Sequence, residues 1–154
     1  MILISHRGNI DGKQPNRENH PDYIEEALNL KFDVEVDVWY IDGELFLGHD
    51  EPEYKVDFSW FFSRAHQLWI HCKNVEAVQY FLSNDSYGQI FNFFWHEEDT
   101  ITLTSMLYIW AYPGKQPIKG SIAVMPEIND DDITQCEGIC SDYVIGYKNK
   151  ILNG

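Results

Sequence analysis

Short apolar or alternating runs punctuate the chain at Ile2 to Ser5, Val34 to Trp39, Leu68 to Cys72, Ile90 to Trp95, Leu107 to Ala111, Ile122 to Met125 and Ile139 to Ile145. Each has strand length, and most are rich in the β-branched or aromatic side chains that suit a pleated, half-buried surface. A shorter run, Leu45 to Leu47, follows the turn pair Asp42-Gly43. Between the first two runs, Tyr23, Ile24, Ala27 and Leu28 recur at helical spacing behind Pro21, which suits a first helical turn, so a helix is predicted from about Pro21 to Leu30. Val75, Val78, Phe81 and Leu82 repeat the stripe behind Asn74, a side chain able to cap a helix, and Phe58 to His66 is a third helical candidate.

This alternation of strand and helix predicts an α/β fold with a parallel sheet. In the second half the strand candidates start roughly 15 to 22 residues apart, less than the ~30 of a strand-helix-strand unit, so loops or single helical turns should connect them. No repeat, linker or low-complexity tract divides the chain, and residues 1–154 read as one domain.

Charge narrows the function. The formal net charge is −14, from 25 acidic and 11 basic residues, a surface that repels nucleic acid and anionic membrane. An anionic substrate would need a local site where histidine, arginine, lysine or a metal reverses the field. The cysteines, Cys72, Cys136 and Cys140, are odd in number and lack the C-x-x-C spacing of a structural zinc site, so reduced thiols in a cytoplasmic protein are expected. Neither a signal-peptide core nor a run of roughly 20 apolar residues is present, and no membrane partner is expected.

Candidate chemistry begins in the run Val34, Glu35, Val36, Asp37, Val38. The period of 2 along a strand places both carboxylates on one face and the valines on the other. Two readings fit: an edge strand whose acidic face meets water, or an interior face where a bound cation offsets two buried charges. His6, Arg7 and Gly8 end the first strand, and Gly48, His49 and Asp50 follow the short run after the second. Two imidazoles beside a cation suit phosphodiester cleavage, one taking a proton from the nucleophile and the other protonating the leaving alkoxide. The planar fork of Arg7 could hold phosphate oxygens. Asn92, Phe94 and His96 alternate, which leaves His96 either at the mouth of the site or on the surface beside Glu97, Glu98 and Asp99.

In order and spacing, His6-Arg7-Gly8, Glu18-Asn19, Glu35-Val36-Asp37-Val38 and Gly48-His49-Asp50 resemble the signature of the glycerophosphodiester phosphodiesterase family, over residues 4–50. The resemblance implies a TIM-type (β/α) barrel, here reduced to about seven parallel strands with helices shortened or lost in the second half, and a site at the C-terminal strand ends. It implies His6 and His49 as general acid and base, Glu35 and Asp37 as ligands of a divalent cation, and Arg7 as a phosphate contact. The family carries a third metal-binding glutamate two residues before a lysine. In Ile70-His71-Cys72-Lys73, Lys73 becomes a second phosphate contact and His71 stands at the glutamate's position, while Glu127 could supply the carboxylate instead. Oxygen ligands suit Mg²⁺ or Ca²⁺, and an imidazole moves preference toward Mn²⁺ or Zn²⁺. Ser141-Asp142 resembles the pair that ends the family's closing strand.

The function so implied is metal-dependent hydrolysis of a small, glycerophosphodiester-like phosphodiester, in a protein whose shortened barrel could cover exposed apolar surface by forming a homo-oligomer. Two alternatives use the same residues. One is a non-catalytic phosphate-binding or regulatory module; the other is a hydrolase of a different ester acting through His6, Asp37, His49 and His71.

Overall fold

The computed structural model describes residues 1–85 and 90–153. In chain order the strands and helices are β1 (Ile2–His6), α1 (Pro21–Asn29), β2 (Asp33–Ile41), β3 (Glu44–Leu47), β4 (Tyr54–Val56), α2 (Phe58–Phe62), β5 (Leu68–Cys72), α3 (Val75–Asn84), β6 (Asn92–Phe94), β7 (Ile101–Leu103), β8 (Ile109–Ala111), β9 (Ser121–Val124), β10 (Gly138–Ser141) and α4 (Val144–Asn153), with a single 3₁₀ turn at Pro126–Ile128. Side-chain caps start three of the helices. His20 accepts from the Asp22 amide, Asp57 from Trp60 and Asn74 from Ala77, satisfying amides that have no partner within the first turn.

All ten strands belong to one mixed sheet that curls into a half-barrel. Along β6-β5-β2-β1-β10-β9-β8 each neighbouring pair is parallel. β3 and β4 extend β2 as antiparallel strands, and β7 lies antiparallel on β8. The expected parallel (β/α) barrel is therefore overturned. Two short connections explain the antiparallel additions. Asp42 and Gly43 both have positive φ, 51° and 85°, the geometry of a tight hairpin turn that folds β3 straight back on β2. The five residues between Leu103 and Ile109 are likewise too few for a parallel crossover, which takes a dozen or more. Nor does the sheet close: among the described residues β6 pairs only with β5. Ser105 bridges that opening, its amide donating to Phe93 O and its hydroxyl to Phe91 O.

The end of the chain also departs from expectation. The run Ile139 to Ile145 breaks after β10 because Ser141 Oγ accepts from the Tyr143 amide at 2.9 Å, and the residues from Val144 onward form α4. No helix among the described residues is long and apolar enough to cross a membrane.

The sheet separates two apolar layers. Val34, Val36, Val38, Leu68 and Ile70 pack outward against Ile24, Ala27 and Leu28 of α1 and Ala77 and Phe81 of α3. On the concave side Ile4, Trp69, Phe94, Trp110, Ile122 and Val124 fill the bottom of the half-barrel. Strand alternation places Glu35, Asp37 and His71 on this concave side, above the apolar floor.

Gly48 fixes the chain beside His49. Its φ is 148°, and a Cβ there would stand 2.0 Å from Glu51 O, whereas a Cβ at Gly43 would meet nothing within 4 Å. Gly48→Ala is expected to lower the thermal midpoint by about 5–10 °C and Gly43→Ala by about 2–4 °C. Calorimetric melting of the two variants checks this, and equal shifts would refute the contact assigned to Gly48.

Candidate active site

Asp37 is the centre of the site. It is fully buried, and five side chains from four segments converge on it. The Asn19 amide donates to Asp37 Oδ2 at 2.9 Å, while Asn19 Oδ1 accepts from the Asp37 backbone amide at 3.0 Å. Arg7 Nε lies 3.0 Å from Asp37 Oδ2 and His49 Nδ1 3.2 Å from the same oxygen. His71 Nδ1 and Lys73 Nζ approach Oδ1 at 3.0 and 3.5 Å. Arg7 and Asn19 reach inward because both adopt left-handed backbone, φ 55° and 61°. That strained pair is locked by the Arg7 amide donating to Glu35 O and the Asn19 amide donating to Arg7 O.

Each histidine is oriented by a carboxylate. His6 Nδ1 lies 2.7 Å from Asp142 Oδ1, which also accepts from Asn9 at 2.8 Å. Burial opposes protonation of His6, but the Asp142 hydrogen bond and the Glu35 charge outweigh it, so its pKa is raised. Burial likewise opposes ionisation of Asp142, and the His6 contact wins there, holding its pKa below the usual carboxylate value. With Nδ1 donated to Asp142, His6 presents Nε2 to the site, 3.9 Å from Glu35 Oε2. His49 Nε2 accepts from Arg7 Nη2 at 3.2 Å, because a guanidinium only donates. His49 then carries its proton on Nδ1, toward Asp37.

The two strand-borne carboxylates differ in kind. Glu35 is pushed up, first by burial and then by the Asp37 charge. Asp37 is held well below its usual value: burial opposes this, but His49, His71 and Arg7 dominate. Even so, Glu35 Oε2 is buried without a hydrogen-bond partner, and neither His71 nor Lys73 meets Asp37 Oδ1 in hydrogen-bond geometry despite lying close, a demand that a cation would meet. Glu35, Asp37 and His71 each offer a ligand atom, all within 4.8 Å of one another. Atoms about 2.1 Å from a shared cation stand about 3.0 Å apart at adjacent octahedral positions or about 3.4 Å in a tetrahedron. His71 Nδ1 lies 3.0 Å from Asp37 Oδ1 and 3.8 Å from Glu35 Oε1, so small side-chain shifts would complete such a set.

His6, Arg7, Glu35, His49, His71 and Lys73 all line one cavity of about 430 Å³. Glu127 stands elsewhere. Its oxygens accept from Ser141 Oγ at 2.8 Å and Tyr147 OH at 3.2 Å, and it lines a separate cavity with Met1 and Pro126. His96, for which two positions were open, stacks on His71 with centroids 4.5 Å apart and lines the site cavity. Sequence reasoning missed Asn9 and Tyr112, which no motif marks: Asn9 donates to Asp142, and Tyr112 lines the site cavity with its hydroxyl hydrogen-bonded to His96 Nε2; it took Asp142 only as part of the closing-strand resemblance. No protein-family model, curated protein or solved structure matches this chain, so its functional reading rests on the site itself.

The contrast between the carboxylates is measurable in metal-free protein. Asp37→Asn removes the buried counter-charge of Lys73 and leaves Arg7 with Glu18, 3.2 Å from Nη1, as its paired carboxylate, and is expected to destabilise by about 3–5 kcal/mol. Glu35→Gln relieves repulsion from Asp37 and should change stability by less than about 1 kcal/mol. Urea unfolding in the presence of a chelator compares them, and equal losses would refute the asymmetry.

Proposed function

We propose that this protein is a metal-dependent phosphodiesterase acting on a small phosphodiester, with Glu35, Asp37 and His71 as the cation ligands. The observation that carries the reading is the convergence of those three buried ligand atoms beneath two fixed cations and two carboxylate-oriented imidazoles. The half-barrel departs from the closed barrel that the family resemblance implies, yet His6, Arg7, Glu35, His49, His71 and Lys73 line one cavity. A bound divalent cation would supply Lewis-acid neutralisation of charge on the phosphate oxygens. The imidazole in the ligand set favours Mn²⁺ or Zn²⁺ relative to an all-oxygen site suited to Mg²⁺ or Ca²⁺.

The chain's own groups divide the remaining work. Arg7 and Lys73 hold the phosphodiester anion against the pocket floor. His6, whose raised pKa keeps it protonated further toward neutral pH, donates from Nε2 to the leaving alkoxide. His49, oriented by Asp37, accepts the proton of the attacking hydroxyl once phosphate draws Arg7 from its Nε2. Asp142 positions His6 and stabilises its charged form. Three free cysteines, two of them buried, fit a reducing cytoplasm.

Turnover of glycerophosphodiesters and of an aryl phosphodiester, measured with Mg²⁺, Ca²⁺, Mn²⁺ and Zn²⁺, tests the proposal. His6→Ala and His49→Ala should each reduce turnover by roughly 10² to 10⁴ while the fold is retained. Binding without turnover in the wild type would instead identify a ligand-binding module. A pH prediction follows from Asp142. It raises the His6 pKa, and a general acid works only below its pKa, so Asp142→Asn should move the alkaline limb of kcat/KM to lower pH. An unmoved alkaline limb would remove His6 from the acid role.

A further inference from the structure

The site opens on two sides. His6, Arg7, His49 and Met125 line both the cavity of about 430 Å³ and a second of about 490 Å³, which runs outward to Lys13, Asp50 and Glu53. A phosphodiester held at the shared residues has one cavity on each side for its two ester arms. The two walls differ in chemistry. Outward, Lys13, Asp50 and Glu53 are exposed and charged. Inward, beyond the groups assigned to phosphate and cation, the wall is Trp110, Tyr112, Val124, Met125 and His96, with Glu97 exposed at its edge.

That inner wall is largely aromatic and aliphatic, and its rings hold one another in place. The His96 ring lies 10° from the plane of His71, and its Nε2 is hydrogen-bonded to the Tyr112 hydroxyl. Tyr112 in turn meets the His96 ring edge-on at 4.8 Å.

We infer that the substrate is an asymmetric phosphodiester whose inward arm is an uncharged, ring-sized apolar group seated against Tyr112 and Met125, and whose outward arm is polar. The inference rests on the phosphodiesterase reading and adds which arm enters which cavity. A carboxylate-bearing inward arm would lose hydration beside Trp110 and Val124 and face Glu97 at the cavity edge. A flat apolar group gains contact with an aromatic face and a polarisable thioether. The volume lies near the small end of the roughly 300–1,000 Å³ of small-molecule pockets, suited to a ring beside the phosphate rather than a long acyl chain.

Phosphinate isosteres, in which methylene groups replace both ester oxygens, separate this inference from turnover because they cannot be hydrolysed. Three share a glycerol-like arm and carry a phenyl-bearing, a methyl-bearing or a carboxylate-bearing second arm. Calorimetric titration with Mn²⁺ present should show the phenyl compound binding at least about 10-fold more tightly than the methyl compound, and the carboxylate compound more weakly than either. Tyr112→Leu should reduce the phenyl-to-methyl ratio to below about 3-fold, and Met125→Ala provides the same comparison should Tyr112→Leu not fold. A wild-type ratio near one, a preference for the carboxylate, or no binding of any isostere overturns the arm assignment. Diester hydrolysis without phenyl preference would leave the phosphodiesterase reading standing and sink this one. Phenyl preference without hydrolysis would do the reverse.

Discussion

The arrangement of this site depends on one buried charge. Asp37 carries its carboxylate into the concave side of the sheet with no exposure to water, where an ionised group is tolerated only with partners at hand. Those partners come from the end of β1, the loop before α1, the loop after β3 and the end of β5, as Arg7, Asn19, His49 and the pair His71 and Lys73. Four segments distant in sequence are tied to one point. The left-handed backbone at Arg7 and Asn19, of a kind that stores about 1–3 kcal/mol of strain per residue, persists because it delivers those side chains to the same carboxylate.

The sheet makes such a group affordable by dividing its faces. Alternation along β2 sends three valines into the layer beneath α1 and α3 and two acidic side chains to the other side. Apolar packing stabilises the strand while its polar face carries the candidate ligands. The half-barrel's concave floor of Ile4, Trp69, Trp110 and Ile122 does the same from below, keeping water from the base of the cation cluster. Glu35 is the group this arrangement leaves unsettled: its pKa is pushed up by burial and by Asp37, and one oxygen lacks a hydrogen bond. That demand for positive charge lies within reach of the His71 ring nitrogen.

Much of the site was legible in the sequence because its residues follow local rules. The period of 2 placed Glu35 and Asp37 together and His71 with Lys73, and the segments ending β1 and following β3 announced His6, Arg7 and His49. The half-barrel was less legible. A run such as Ile139 to Ile145 has strand composition throughout, and the turn that stops it at Ser141 depends on one side-chain hydrogen bond. The short strands Tyr54–Val56 and Ile101–Leu103 exist only as partners of β3 and β8, and three residues carry too little pattern to be read alone. Asp142, Asn9 and Tyr112 act through contacts spanning 136, 133 and 16 residues, pairings that no local period encodes. Glu127 looked available as a ligand because it follows the apolar run that forms β9; its engagement by Ser141 and Tyr147 is a tertiary fact.

The central claim is that the concave face of β2 binds a divalent cation, and crystals soaked in Mn²⁺ test it most directly. An anomalous-scattering map should show one ion within about 2.0–2.4 Å of a Glu35 oxygen, an Asp37 oxygen and His71 Nδ1. An ion bound elsewhere, or none at these three residues under saturating Mn²⁺, would contradict the account.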